Sequence, residues 1–263
     1  MQALRVTALQ ADLQWENPQA NRQRLAAMNI PATDLILLPE MFTTGFTMNA
    51  AALAEETEGP TLEWMEELAS KHQALVCGSI IVEEDGEFFN RCLIVDPSEG
   101  LIAEYDKRHL FRLAGEDRTY TQGEAWVWVQ YKDWKIVPMI CYDLRFPVWS
   151  RNRLRDDEDR MACDLLLYMA NWPTPRIHHW DALLMARAIE NQCFVAASNR
   201  VGTDGKGLSY PGHSRIITPW GDILSELKDA EGVISAELQG KELKEYRDKF
   251  PFWLDSDEFE LAL

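Results

Sequence analysis

The chain has 263 residues, 46% of them hydrophobic, which is enough to bury a large core, and no apolar run is long enough to span a bilayer; a soluble globular protein is expected. A formal net charge of -17 works against nucleic acid or an anionic membrane as partner, since both repel an acidic surface. The five cysteines show no paired spacing, and Met1 leads straight into an apparent strand. Free thiols, no signal peptide and a cytoplasmic location are therefore expected.

Read in order, strands alternate with helices. Residues 4–10 form a strand, and Asn17 and Pro18 open a helix to about Met28, with Asn at the cap and Pro in the first turn. Residues 34–38 are a buried strand that stops at Pro39, with Glu40 directly after it. Apolar residues at helical spacing mark 61–71 as a helix, followed by a strand at 74–81, an Asp85-Gly86 hairpin turn and a strand at 88–95. A short strand at 101–105 runs into Asp106-Lys107-Arg108-His109. Strands at 125–131 and 134–140 flank a turn at Lys132-Asp133, and the second delivers Cys141 into the polar stretch Tyr142-Asp143-Leu144-Arg145. A helix is expected at 147–153, a solvated loop at 155–160, a strand at 164–170, a long helix at 178–192 and a strand at 193–199. Residues 202–207 read as loop, Thr218-Pro219-Trp220-Gly221 as a hairpin turn, and the region of Val233 as a last strand. No repeat, linker or break interrupts 1–263, so one α/β domain is expected.

Three polar residues each follow an apolar strand abruptly: Glu40, Lys107 and Cys141. Strands that share a sheet and a direction bring such residues to one edge, where α/β folds bind ligands. A thiolate can attack a carbonyl, a carboxylate can take the thiol proton and return it to a leaving amine, and an ammonium can steady an oxyanion. Taken singly, Cys141 also reads as a small core hydrophobe, Glu40 as a helix-start carboxylate and Lys107 as a surface charge. Their shared position favours the site.

These residues sit in three motifs that resemble the nitrilase superfamily of carbon-nitrogen hydrolases: Leu37-Leu38-Pro39-Glu40-Met41-Phe42, Tyr105-Asp106-Lys107-Arg108-His109-Leu110-Phe111 and Ile140-Cys141-Tyr142-Asp143-Leu144-Arg145-Phe146-Pro147. Ala170-Asn171-Trp172-Pro173, His179-Trp180 and Arg187-Ala188-Ile189-Glu190-Asn191 extend the likeness over nearly the whole chain. The resemblance implies a four-layer α-β-β-α sandwich, Cys141 as nucleophile forming a thioester, Glu40 as general base and acid, and Lys107 beside the oxyanion with the Tyr142 N–H. It also implies a second glutamate, matched here by Glu116, no cofactor or metal, and a homodimer paired through 147–153 and 179–192. Val148 departs from the acid that many relatives carry after Arg-Phe-Pro. Within the superfamily the nucleophile motif is most similar to the omega-amidase group, which implies a short α-keto acid carrying a terminal amide as substrate. Phe42, Phe46, Tyr142 and Trp172 are candidate pocket walls, although core packing is the commoner fate of an aromatic. Arg145 and Arg176 are candidates to hold a distal carboxylate, with an ion pair to Asp143 or a neighbour as the structural alternative for Arg145.

Other schemes fit less. His178 and His179 are adjacent, so they lack the i, i+4 geometry of a zinc helix. A Cys-His hydrolase using Cys141 with His109 or His213 leaves Glu40 and Lys107 unexplained. Gly202-Thr203-Asp204-Gly205-Lys206-Gly207 lacks phosphate-loop spacing. A catalytically silent binding protein on the same fold predicts loss of Glu40, Lys107 or Cys141, and all three are present.

Overall fold

Apolar runs bounded by turn residues build two sheets, described in a computed structural model over residues 1–152, 154, 155, 158–161 and 163–257. The first half of the chain supplies β1 (Leu4–Gln10), α1 (Pro18–Ala26), β2 (Leu35–Leu37), the single turn α2 (Ala50–Leu53), α3 (Pro60–His72), β3 (Leu75–Glu84), β4 (Glu87–Asp96) and β5 (Gly100–Asp106). The second supplies β6 (Val129–Tyr131), β7 (Trp134–Ile140), a small ribbon of β8 (Leu154–Arg155) and β9 (Glu158–Met161), β10 (Leu165–Ala170), α4 (Ile177–Glu190), β11 (Phe194–Asn199), β12 (Val201–Thr203), β13 (Ser209–Ile217), β14 (Ile223–Lys228), β15 (Gly232–Leu238) and α5 (Gly240–Lys249).

The six-stranded sheet runs β15-β1-β2-β3-β4-β5; the seven-stranded sheet runs β12-β13-β11-β10-β7-β6, with β14 on β13. Side chains alternate across β1 and β2. Leu4, Val6, Leu35 and Leu37 face a core shared with Ile136, Leu165 and Leu167 of the second sheet, whereas Leu9 and Ile36 face Leu25 of α1 and Leu62, Met65 and Leu68 of α3. On the far side Trp180, Leu184 and Ala188 seat α4 on the second sheet. The layers are therefore helix, sheet, sheet, helix, as expected.

Local chemistry sets the element ends. The Asn17 side chain accepts from the Ala20 N–H at 3.2 Å and caps α1. Asp85 and Gly86 both have positive φ, 53° and 81°, the type I′ turn that matches strand twist.

Two expectations need correction. In place of a helix at 147–153, Cys141–Arg145 winds into a 3-10 turn and 147–150 are plain turn; Arg153 lies outside the described residues. The Asn152 N–H is taken by the Asn191 side chain at 2.8 Å rather than by a helical carbonyl. The described part of 155–160 pairs as the β8–β9 ribbon instead of a loop.

Candidate active site

Glu40 and Lys107 leave the same sheet at the same end. β2 runs parallel to β3, and β5 returns to that direction after the antiparallel β4. Pro39 has no N–H to continue the ladder, so the chain turns, and Met41 adopts φ 43° while its N–H bonds to Ser79 Oγ at 2.9 Å. Cys141 comes from β7, in the other sheet. The three residues therefore meet between the two sheets rather than along one edge.

Glu40 and Glu116 are fully buried and Lys107 is 1% exposed. Lys107 Nζ donates to Glu40 Oε1 at 2.7 Å and to Glu116 Oε1 and Oε2 at 2.9 and 3.0 Å. Asn90 Nδ2 donates to Glu40 at 2.9 Å and to Glu116 at 3.3 Å; the Phe111 N–H adds a short bond of 2.5 Å to Glu116. Glu40 Oε2 accepts the Asn171 N–H at 2.9 Å, and Asn171 Nδ2 donates to the Glu40 carbonyl at 2.6 Å. Asn171 follows β10, so this pair of bonds staples one sheet to the other.

Burial alone lowers the affinity of Lys107 for its proton; Glu116, Glu40 and the Cys141 sulfur overturn that and raise it, keeping the ammonium charged. Burial raises Glu116, with Lys107 opposing and the Glu40 charge reinforcing. Burial also pushes the Cys141 thiol well above its usual range, and the charge of Glu40 and a hydrogen bond to it add to the shift against the pull of Lys107. Burial and the Glu40 charge thus both favour the thiol form of the sulfur.

Cys141 has φ 45°, a left-handed conformation that costs about 1–3 kcal/mol for a residue with a side chain. Asp143 holds it there. This buried carboxylate accepts from the Ile140 N–H (3.0 Å), the Tyr105 hydroxyl (2.7 Å) and the His109 N–H (2.9 Å), and it meets His109 Nδ1 at 2.8 Å. The turn that carries Cys141 is thereby tied to the segment that carries Lys107. The Tyr142 N–H lies in the first turn of the 3-10 helix, where donors have no partner within the helix.

Cys141, Lys107 and Asn171 share the lining of a cavity of about 110 Å³ with Phe46, Phe111, Tyr142, Trp172 and Tyr210. Arg145, Arg176 and Lys206 also line it. The Arg145 guanidinium carbon lies 4.9 Å from the Trp172 ring centre and 5.9 Å from that of Tyr142, and Nη2 is 3.1 Å from His179 Nδ1. Arg176 lies 5.2 Å over Phe111. The Arg145–Asp143 ion pair does not form, because Asp143 is occupied by the four groups above. Phe42 does not line the cavity: it packs behind β3, 5.5 Å from Trp64 and close against Gly78, in the core under α3. His213 pairs with Asp181 at 3.0 Å, away from Cys141's bonded neighbours.

Asn90, Asn171 and Asp143 were given no site role by sequence reasoning. Asn90 did leave a signal: it is the one amide side chain in β4, placed beside Arg91 between apolar residues.

The sequence profile of the family described as carbon-nitrogen hydrolase matches residues 5–248. The chain belongs to the carbon-nitrogen hydrolase family. It is 47% identical to omega-amidase YafV of Escherichia coli (strain K12) over 99% of this chain and 100% of that protein. It is 35% identical to the 2-oxoglutaramate amidase of Bacillus subtilis (strain 168), covering 95% and 96% of the two chains. The crystal structure of XC1258 from Xanthomonas campestris, described as a CN-hydrolase superfamily protein with an arsenic adduct in the active site, superposes with a TM-score of 0.96 at 41% identity, covering 100% of both chains. Like other carbon-nitrogen hydrolases, then, this chain is an enzyme for bonds between carbon and nitrogen.

Proposed function

We propose that this carbon-nitrogen hydrolase is an omega-amidase that cleaves the terminal amide of short α-keto acids such as α-ketoglutaramate and α-ketosuccinamate, giving the dicarboxylate and ammonia. One observation carries the reading: Arg145 and Arg176 line the cavity that holds Cys141, and neither is paired with a carboxylate among the described residues. A substrate carboxylate buried there needs such a partner, since an unpaired buried charge is costly, and a guanidinium matches it in two-point geometry. The names of the relatives, omega-amidase and 2-oxoglutaramate amidase, agree.

In the proposed reaction Glu40 takes the thiol proton as Cys141 Sγ attacks the amide carbon. Lys107 Nζ and the Tyr142 N–H receive the oxyanion. Glu40 then hands its proton to the departing nitrogen, and ammonia leaves a Cys141 thioester. Glu40 next draws a proton from water, which attacks the thioester carbon; the acid leaves and the thiol regains its proton. Glu116 keeps Lys107 in place by its two hydrogen bonds. Phe46, Tyr142 and Trp172 serve as walls, and Phe111 and Tyr210 join them.

A panel of omega-amides, N-carbamoyl amino acids, aliphatic amides and nitriles, scored by ammonia release, tests the substrate. Preference for a nitrile or a carbamoyl compound would overturn the omega-amide assignment and leave the Glu40, Lys107 and Cys141 chemistry intact. A mass increase on Cys141 with a slow substrate separates an enzyme from a silent binding protein.

We read residues 1–263 as one catalytic unit, working as a cytoplasmic homodimer. Within 179–192 apolar residues are spent inside the subunit: Trp180, Leu184 and Ala188 are buried and Leu183 packs on the core. Val148 and Ile189 stay exposed, and Gly221 seats the Trp220 turn against Ile189. Light scattering that finds monomer alone at micromolar concentration would refute the dimer.

A further inference from the structure

We propose that His179 is a positioning residue for recognition: its Nδ1 accepts a hydrogen bond from Arg145 and aims the guanidinium at the cavity, so that capture of a substrate carboxylate depends on an uncharged imidazole. This rests on the omega-amidase reading, in which Arg145 binds that carboxylate.

Arg145 is confined on three sides. Trp172 and Tyr142 offer their rings, and Nη2 reaches His179 Nδ1 at 3.1 Å. A guanidinium carries five N–H donors. With one given to His179, the others can serve a ligand, and Arg145 lines the cavity. Without that bond nothing among the described residues holds the edge of the guanidinium.

The bond exists in one protonation state only. Arginine is always a donor, so Nδ1 must be the acceptor and the neutral ring carries its proton on Nε2. The groups that face His179 all favour this state. Its neighbour on α4, His178, lies with ring centres 4.0 Å apart; Arg145 approaches from the nucleophile turn and Arg176 from the turn before α4. His179 itself lies in the first turn of the 14-residue α4, where the helix dipole opposes a positive charge. Burial first, then His178, Arg145 and Arg176, hold the His179 pKa below its ordinary 6.5.

The consequence has a definite sign. At neutral pH the ring is uncharged and Arg145 is held. As pH falls through the depressed His179 value, a proton enters at Nδ1, the acceptor disappears, and two cations face each other at hydrogen-bond distance. Arg145 must leave, and affinity for a carboxylate falls. The substrate carboxylate is not the cause, because an α-keto acid stays ionised throughout this range.

The test is the Kd of α-ketoglutaramate for the full-length Cys141→Ala protein, which binds without turnover, by calorimetry from pH 5 to 8. The parent should weaken about tenfold toward pH 5. Adding His179→Phe removes the acceptor and should give that weak binding at every pH. Adding His179→Asn, whose Oδ1 takes the place of Nδ1 and does not titrate, should bind as the parent does at pH 7.5 and keep that affinity in acid. Binding that tightens in acid, or a His179→Phe protein that matches the parent at pH 7.5, overturns the role of His179. If Arg145→Ala in the same background binds as tightly as the parent, or the parent does not bind at all, the carboxylate reading itself fails.

Discussion

Lys107 and Arg145 line one cavity, yet Lys107 is locked between two buried carboxylates while Arg145 is half-buried and meets aromatic faces and an imidazole. The difference separates two tasks. An ammonium whose counter-charges are built into the protein cannot be drawn away by a ligand, so it can wait for charge that develops during reaction. A guanidinium with no built-in counter-charge is completed by the ligand, and that is what recognition requires. The cost differs too. The first arrangement buries three charges and depends on every bond among them, whereas the second keeps its charge near water.

The largest effects should follow from damage to the first arrangement. Cys141→Ala and Cys141→Ser should each lose at least about 10⁴-fold in kcat with unfolding midpoints near the parent's, as expected of a nucleophile; near-full turnover in the alanine variant would dissolve the comparison. Lys107→Met should lose turnover by about 10³-fold or more and also lower stability by about 3 kcal/mol, because Glu40 and Glu116 are left facing each other without a cation. Urea unfolding of Arg145→Met provides the contrast, with less than about 1 kcal/mol lost. Equal losses in the two proteins would show that both cations are structural.

Recognition should fail more gently. Arg145→Ala should lower kcat/KM for α-ketoglutaramate about 30-fold, roughly the 2 kcal/mol of one charge-assisted contact, and change a neutral short-chain amide by less than about threefold. The smallest effect is a titration. Glu40→Gln removes a charge and an acceptor that both raise the Cys141 thiol, so the thiolate absorbance of that variant should appear at lower pH than in the parent, although turnover is lost. A thiol that titrates higher in the variant would remove Glu40 as its partner.

The candidate site was legible because strands announce themselves. Stretches of strand ended just before Glu40, Lys107 and Cys141; Lys107 and Cys141 line the cavity, and Glu40 lies behind it, bonded to Lys107. What the sequence did not disclose was that two sheets share the site, since a buried strand reads alike in either. Phe42 was misplaced for a related reason: the positive φ of Met41 turns the chain, and no residue type announced it. The helix expected at 147–153 failed because its polar groups are answered from far away, by Asn191. α5 went unread because only Gly240, Leu243 and Tyr246 of its ten residues are buried, too thin a stripe to stand out among charges. Arg145 could be named as a candidate, but its neighbours Trp172 and His179 come from distant stretches that only the fold brings together.

The staple between Glu40 and Asn171 also places the site in time. The strands β3, β4 and β5 follow one another as hairpins and can pair early, while β15 must return across the whole chain to lie beside β1, with Leu238 opposite Leu4. A chain emerging from synthesis carries Glu40, Lys107 and Cys141 by residue 141, but Asn171 has yet to arrive. Until the second sheet docks, Glu40 lacks the partner that fixes its Oε2, and Cys141, at the end of β7, has not been brought beside the first sheet. Recovery of amide hydrolysis during refolding therefore clocks the closure of one sheet on the other, and should trail the return of strand signal from either.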